Sequence, residues 1–371
     1  MNTLLREFEE RDWPDLVRFY EEFYRPGYIL TKREFFDWNF CSSLRPDERC
    51  GQRLILDDNR VVGVMGALSW PLQVNHRQEI GEYNINLYLD PAYRGQRMGQ
   101  RLLESVCSGY RYSISSGYHE RTLSMYERLG TVYHWNMLRF TKCIDPVVCE
   151  ALLHDTTSVA GAGEEAGRLA VRNIRTSSNT VLPQPSFTFE RVSRFDADWD
   201  AAWEGLRQGY GFTTWRSAEF LNWRYIDYPY PLYECYLARQ GAGIAGLVVL
   251  RVEPAAFGPV LRIVDLICDA EGRPEILAFC DDFAKQGKVV FIDFIFCGEM
   301  DFSQLKAAGY VELSDQSSGA TLLPMDFNPL RYRSVLPILV TLRDPEDSAA
   351  AEIERGAFYF VKGDGDQDRA N

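Results

Sequence analysis

Apolar residues recur at helical spacing through Trp13–Tyr24 and Lys32–Phe40, which predicts two amphipathic helices near the start of the chain. Runs rich in β-branched and aromatic residues follow at Arg53–Leu56, Val61–Leu68, Glu82–Leu89, Arg111–Ser115 and Tyr133–Thr141, and these read as strands. Between them, Met98–Ser108 and His119–Leu129 return to helical spacing. The alternation then starts again. Ala218–Tyr225, Arg273–Gln286 and Phe302–Ala308 read as helices, and Leu232–Arg239, Ile244–Val252, Leu261–Cys268 and Val289–Phe296 as strands. Interleaving of this kind predicts an α/β chain, an α+β mixed sheet with helices on its faces.

The second round repeats residues as well as elements. Glu34-Phe35-Phe36-Asp37-Trp38-Asn39-Phe40 recurs as Glu219-Phe220-Leu221-Asn222-Trp223-Arg224-Tyr225, Val61-Val62-Gly63-Val64 as Ile244-Ala245-Gly246-Leu247, and Leu129-Gly130 as Ala308-Gly309. Three ordered matches about 180 residues apart point to a tandem domain duplication rather than a short-period repeat. The expected organisation is a first domain over 1–150, a linker over 151–187, a second copy over 188–347 and an acidic tail over 348–371. The linker is expected from Gly161, Gly163, Pro183 and Pro185, with a short helix near Glu164–Leu169. The tail contains Gly363-Asp364-Gly365-Asp366-Gln367-Asp368, which resembles the start of a calcium loop, but no glutamate follows at its twelfth position. A solvated acidic terminus is therefore expected, the alternative being a tail folded over the site.

Composition narrows the function. The 371 residues carry a formal net charge of −13, which speaks against a nucleic-acid partner, since such binding needs a basic face. No run of apolar residues is long enough to span a membrane, and Met1–Glu10 is polar where a secretory signal would be apolar. The nine cysteines include no CxxC pair, so no metal site is expected, and reduced thiols in a cytoplasmic protein fit best.

The chemistry concentrates in Leu87-Tyr88-Leu89-Asp90-Pro91-Ala92-Tyr93-Arg94-Gly95-Gln96-Arg97-Met98-Gly99-Gln100-Arg101, a strand, a basic turn and the start of a helix. Unpaired amides and the dipole at a helix N-terminus make such a turn a phosphate or diphosphate site. With Arg94-Gly95-Gln96-Arg97-Met98-Gly99, this stretch resembles the phosphate-binding signature of the GNAT superfamily of coenzyme A-dependent N-acyltransferases, with Arg97 replacing the middle glycine. His119-Glu120-Arg121-Thr122-Leu123-Ser124-Met125-Tyr126-Glu127-Arg128-Leu129-Gly130 is similar to a later helix of the same superfamily, with His119 in an asparagine position.

The resemblance implies two tandem GNAT-like domains, the second degenerate, and acetyl-CoA or another short acyl-CoA as cofactor. It implies cofactor contacts at Leu87, Leu89, Arg94, Gly95, Gln96, Arg97, Met98, Gly99, Gln100, His119 and Tyr126. Arg97 adds a Cβ that blocks one close approach, and its guanidinium is expected to compensate by binding phosphate. Tyr126 is the expected general acid. Glu82 and His119 are the candidate bases, with deprotonation through water the alternative. Asn84 and Asn86 are expected to meet the acceptor or an ordered water.

In the second copy the cofactor turn has become Asp269-Ala270-Glu271-Gly272-Arg273-Pro274, and the tyrosine is missing from Phe302–Ala308. That copy is expected to lack coenzyme A and to complete the acceptor site through Trp223, Arg224 and Tyr228. The alternative is that Trp38 and Trp223 are paired core anchors. Asn222-Trp223-Arg224-Tyr225 and Lys362-Gly363-Asp364-Gly365-Asp366 resemble segments of bacterial enzymes that acylate nucleotide-linked amino sugars. The resemblance implies a small-molecule acceptor of that class and a monomer or weak homodimer. Other small amines (aminoglycosides, polyamines, amino acids) and a non-catalytic acyl-CoA-binding protein remain the alternatives.

Overall fold

The structure, a computed structural model, describes residues 3–41, 44, 50–160, 164–230, 232–298, 300–313, 323–327, 329–332, 336–365 and 368, with the backbone alone over 154–160 and 164–171. The first half runs β1 (Thr3–Glu7), α1 (Trp13–Phe23), α2 (Arg33–Phe40), β2 (Gln52–Asp57), β3 (Arg60–Val74), β4 (Arg77–Leu89), α3 (Met98–Cys107), β5 (Tyr112–Ser116), α4 (Glu120–Tyr126) and β6 (Thr131–Cys143). Two helices follow, α5 (Pro146–Ala160) and α6 (Glu164–Asn179).

The second half repeats the order with β7 (Thr188–Val192), α7 (Ala197–Leu206), β8 (Phe212–Thr214), α8 (Ala218–Leu221), β9 (Glu234–Gln240), β10 (Gly243–Glu253), β11 (Val260–Cys268), α9 (Gly272–Gln286), β12 (Phe291–Gly298) and α10 (Phe302–Ala307). It ends with β13 (Val311–Glu312), β14 (Asp326–Phe327), β15 (Leu330–Arg331), β16 (Leu336–Leu342), α11 (Ser348–Glu354) and β17 (Phe358–Val361).

The predicted mixed sheet is present. Among the described residues, fifteen strands join into one sheet. Its halves exchange strands. In the first half β5 lies parallel to β4 and antiparallel to β16, which comes from the second half. In the second half β12 lies parallel to β11 and antiparallel to β6, which comes from the first. The boundaries 1–150 and 188–347 thus mark a repeat in sequence, while each repeat finishes its sheet with the other's strand. β6 serves both: Thr131–Met137 pairs with β16 and Leu138–Cys143 with β12.

The stretch expected to be a linker is largely helical. Its α6 is pinned where the Ser177 hydroxyl donates to the Gly309 carbonyl at 2.6 Å and accepts from the Cys143 amide at 2.9 Å. Gly161 and Gly163 lie outside the described residues.

A pseudo-two-fold contact joins the repeats. Trp38 and Trp223 stack at 4.9 Å between centroids, 15° from parallel. The indole N–H of Trp38 donates to the Trp223 carbonyl at 3.0 Å, and that of Trp223 to the Trp38 carbonyl at 3.3 Å. Equivalent residues bond each other reciprocally, as in a symmetric dimer interface. Tyr228 packs edge-on against Trp38 at 4.8 Å.

The tail is buried rather than solvated. β17 pairs with β8 and β12, and Asp364 is 2% exposed with its carboxylate on Arg216 at 2.9 Å. Asp366 lies outside the described residues. Arg224 reaches into the same segment, donating to the carbonyls of Gly363 at 2.9 Å and Gly365 at 3.0 Å. The Tyr225 hydroxyl donates to Asp265, and a Cβ on Gly363 would stand 2.5 Å from that hydroxyl. The segments Asn222–Tyr225 and Lys362–Gly365 are therefore two sides of one packed contact. Arg224 satisfies carbonyls that burial would otherwise leave costly.

Further ion pairs lie beneath. Arg139 and Arg262 both pair with Asp293, and Arg262 and Arg251 share Glu253. Burial alone would raise the Glu253 carboxyl, but Arg262 and Arg251 outweigh it and hold it at about 2. Asp293 is likewise lowered, by Arg139 and Arg262 against its burial.

Two outcomes are expected for stability. Trp223→Ala should cost about 3 kcal/mol, read as a fall in the urea midpoint, and Trp223→Phe about 1 kcal/mol. Equal, small effects from both would show that the indole pair does not hold the halves together. Because the folded pKa of Glu253 lies below its ordinary 4.5, its contribution is full above that pH and is lost as the pH falls toward about 2. Urea midpoints measured from pH 6 to pH 2 should fall across that window, and Glu253→Gln should flatten the slope.

Candidate functional site

β4 and β5 pair in parallel from Glu82↔Ser113 to Asn84↔Ser115, where their pairing ends. A cleft of about 350 Å³ opens from that point, lined by Asn84, Asn86, Leu87, Tyr88, Ser115, Ser116, His119 and Tyr126 among others. It shares Leu87, Tyr88, His119 and Thr122 with a wider groove of about 670 Å³ that runs to the turn Arg94–Gly99 and on to Gln100.

The turn has the conformation a cradle needs. Gly95 has φ +79° and a Cβ placed there would meet nothing within 4 Å, so its face is open. Arg97, at the N-cap of α3, has φ +58° and makes no side-chain cap bond. Glycine is the residue that takes this left-handed conformation without cost, so the backbone at Arg97 is the one a glycine would supply. Among the described residues no N-cap side chain bonds the first α3 amides, and Arg94, Arg97, Arg121 and Arg128 line the groove around them. In a chain of net charge −13, this is a local concentration of positive charge at a helix N-terminus.

Tyr126 ends α4 at the cleft floor, 3% exposed, its hydroxyl donating to Ser115 Oγ at 3.2 Å. Burial pushes this phenol well above its ordinary pKa, so it keeps its proton at any working pH. His119 caps α4, its Nδ1 accepting from the Arg121 amide at 3.1 Å. That bond engages the Nδ1 lone pair, and His119 lines both the cleft and the wider groove.

Of the other predicted residues, Leu87, Leu89, Arg94, Gly95, Arg97, Met98, Gly99 and Gln100 line the groove together, while exposed Gln96 sits in the turn without lining it. Asn84 is at the cleft floor, held on Ser113. Glu82 is not in the cleft: it is fully buried behind it, 3.9 Å from the Cys107 thiol, and so does not face an acceptor. Trp223, Arg224 and Tyr228 do not reach it either, since the indole stack and the tail contact occupy them. The sequence reading missed Ser115, which nothing in its plain Ser-Ile-Ser-Ser context marks.

The second half builds the corresponding place differently. Asp269 Oδ1 accepts from the amides of Glu271 at 3.1 Å and Gly272 at 2.7 Å, so a side chain already caps α9. Where β11 and β12 part, the tail enters: the Lys362 amide donates to the Ile295 carbonyl and the Gly363 amide to the Val264 carbonyl. Among the described residues, the cleft of the first half has its counterpart filled by the chain itself.

Residues 5–130 match the family model for the acetyltransferase (GNAT) family, roughly a third of the chain. No curated protein sequence matches the chain. Among solved structures, a GCN5-related N-acetyltransferase from Anabaena variabilis is similar at 11% identity, TM-score 0.58, over 92% of this chain and 73% of its own. A probable N-acyltransferase from Enterococcus faecalis is similar at 10% identity, TM-score 0.57, over 92% and 73%. Saccharomyces cerevisiae N-myristoyltransferase with bound myristoyl-CoA is similar at 10% identity, TM-score 0.54, over 92% and 79%. The shared fold extends through both halves, and the GNAT match covers the half that carries the cleft.

Arg97→Gly separates backbone from side chain. It should stabilise the fold by about 1 kcal/mol by removing left-handed strain, read by thermal denaturation. It should also weaken acetyl-CoA binding several-fold, with a smaller salt dependence, read by calorimetry. Unchanged affinity would show that the guanidinium does not touch the phosphates.

Proposed function

We propose that this protein is a coenzyme A-dependent N-acyltransferase with one cofactor site, in the cleft between β4 and β5. The observation that carries it is the continuity of an uncapped, arginine-ringed helix N-terminus with a cleft floored by a buried, protonated tyrosine. The residues fit coenzyme A: the α3 amides with Arg94, Arg97 and Arg128 suit its phosphates, and the narrower cleft suits the pantetheine arm. Bound acyl-CoA supplies the thioester whose acyl group passes to an amine.

The chain's own residues do the rest. The main chain at Leu87–Leu89 can donate to a polarised carbonyl oxygen, stabilising charge that develops there. Tyr126 holds a proton at the floor for the leaving sulfur, resting it on Ser115 Oγ until the hydroxyl turns to the thiolate. With Glu82 buried and the His119 Nδ1 lone pair engaged, an acceptor amine entering neutral, or losing its proton to water, is the simplest route.

For the acceptor we favour the amine of a nucleotide-linked amino sugar. The aromatic wall of Tyr24, Tyr88 and Tyr118 with the amide of Asn84 supports this, since such surfaces suit sugar and base stacking. The cytoplasm is the compartment that fits this substrate and the nine free thiols.

Thiol release from acetyl-CoA, measured against a panel of amino-sugar nucleotides, aminoglycosides, polyamines and amino acids, tests the reading. Release with the sugar nucleotides alone is expected. Tight acetyl-CoA binding with no thiol release for any amine would show a binding protein instead. Tyr126→Phe should lower kcat about 10- to 100-fold with little change in acetyl-CoA affinity. Gly99→Trp should abolish that affinity, because a Cβ there already stands 3.4 Å from Met125 and the ring must enter the groove.

A further inference from the structure

One polar atom at the cleft floor is left over once the hydrogen bonds around it are assigned. Asn84 is 2% exposed and lines the cleft, and its Oδ1 has no hydrogen-bond partner among the described residues. A buried amide oxygen without a donor is costly, and native side chains rarely leave one so. The orientation of this amide is set from behind the floor. Its nitrogen donates to Ser113 Oγ and, at 3.6 Å, to Cys107 Sγ. Burial and the neighbouring Glu82 push the Cys107 thiol up to about 12, so it keeps its proton and donates it to Glu82 at 3.9 Å. The sulfur therefore meets Asn84 as an acceptor, and the NH2 group must face it. That leaves the oxygen as the unused end.

The hydroxyls nearby are committed elsewhere. Ser115 donates to the Asn84 main-chain carbonyl at 3.4 Å, and Tyr126 donates to Ser115 Oγ at 3.2 Å. Neither proton is offered to Asn84 Oδ1. A donor for it has to come from what fills the cleft.

Topology says which reactant that is. Side chains alternate along β4, and Tyr83 and Ile85 pack in the core with Leu16, Phe19 and Tyr20 of α1. Asn84 points the other way, to Cys107 of α3. α3 begins at the basic turn, and Tyr126 packs with its residues Met98, Leu102 and Leu103. Asn84 thus stands on the cofactor's face of the sheet, opposite the wall that Tyr24 makes at the end of α1. The floor is shallow as well, since β4 and β5 close at Asn84↔Ser115. A chain running inward from a thioester meets that pairing within a few atoms, amid Asn84, Ser115 and Ser116.

We propose that the acyl group carried by this cleft is a short hydroxyacyl group, and that Asn84 is its specificity-determining residue, with Oδ1 accepting from the acyl hydroxyl. This rests on the reading of the cleft as an acyl-CoA site and names the acyl class for it. The hydroxyl takes no part in the transfer: the C–S bond breaks, the C–N bond to the amine forms, and the amine's proton balances the one that Tyr126 gives the sulfur. An acetyl group fits the same place and leaves the oxygen unpaired, so it is the poorer donor. Among the polar groups offered above to the acceptor, Asn84 is assigned to the acyl group, and the amino sugar is left to the aromatic wall.

Pairs of thioesters that exchange hydroxyl for methyl test this on the full chain. The probes are glycolyl-CoA against propionyl-CoA and 3-hydroxybutyryl-CoA against isovaleryl-CoA, with free CoA as reference, titrated by calorimetry. In at least one pair the hydroxyacyl thioester should bind about tenfold tighter or more, because a site built to bond a hydroxyl rejects the analogue without one. Asn84→Leu keeps the size and removes the oxygen. It should bring that ratio within about threefold while changing free CoA affinity less than threefold, with circular dichroism to confirm folding. Asn84→Ser, too short to reach the hydroxyl, should do the same and serves if the leucine variant does not fold.

Ratios within threefold for both pairs in wild type would overturn the proposal. So would a ratio that survives in a folded variant, which would show another residue reading the hydroxyl, or a loss of free CoA affinity as large as that of the hydroxyacyl thioester. Failure of wild type to bind free CoA or any of the thioesters would instead overturn the acyl-CoA reading.

Discussion

The structure turns on two parallel strands that part. In each half the pairing is short, Glu82–Asn84 with Ser113–Ser115 in one and Leu261–Ile263 with Ile292–Phe294 in the other. Beyond it the facing edges of both strands need partners, since buried amides and carbonyls are costly when unpaired. The second half answers with the chain itself: the amides of Lys362 and Gly363 bond one strand each, and β17 continues along β12. Filling the gap so closely requires Gly363, where a Cβ would strike Tyr225 and Val264. It also requires countercharges for Asp364 and Asp368, provided by Arg216 and Arg251. The first half leaves the equivalent space open as the cleft. The two repeats are thus one fold completed in two ways, the second half by its own chain and the first by an open cleft, where the proposed chemistry lies.

Such a division explains what the sequence disclosed. The turn Arg94–Gly99 and the segment around Tyr126 were legible because their roles are local: a turn, a helix start and one inward tyrosine within a few residues of each other. The repeat was legible through Glu34–Phe40 and Glu219–Tyr225, but not its consequence. Whether Trp38 and Trp223 bind a ligand or each other depends on how two distant segments meet. The pairing of Arg224 with the carbonyls of Gly363 and Gly365 is equally non-local, and so is the exchange of β6 and β16. The tail misled for the same reason. Alternating glycine and aspartate describes a solvated terminus as well as a segment buried among arginines, and only the position of Arg216, Arg251 and Arg262 separates the two.

Two residues at the site stand in a conformation that composition does not reveal. Arg97 and Asn86 both have positive φ, at the start of α3 and in β4 respectively. Each left-handed non-glycine residue costs on the order of 1 kcal/mol, less for asparagine, and persists only where its surroundings determine it. At Asn86 the surroundings are visible: Tyr24, Tyr28 and the offset of β3 against β4 hold it in place. At Arg97 they are not, for the residue is exposed and makes no capping bond. Among the described residues no side-chain cap bond holds Arg97, so its conformation is open to a ligand at the helix start. The groove at Arg97 is the one lined by Arg94, Arg121 and Arg128, which suits an anion and supports the proposed cofactor reading. Asn86 and Arg97 therefore carry the same physical sign at opposite ends of the connected cavities: the first is held by Tyr24 and Tyr28, and the second is exposed where the proposed cofactor's phosphates would lie.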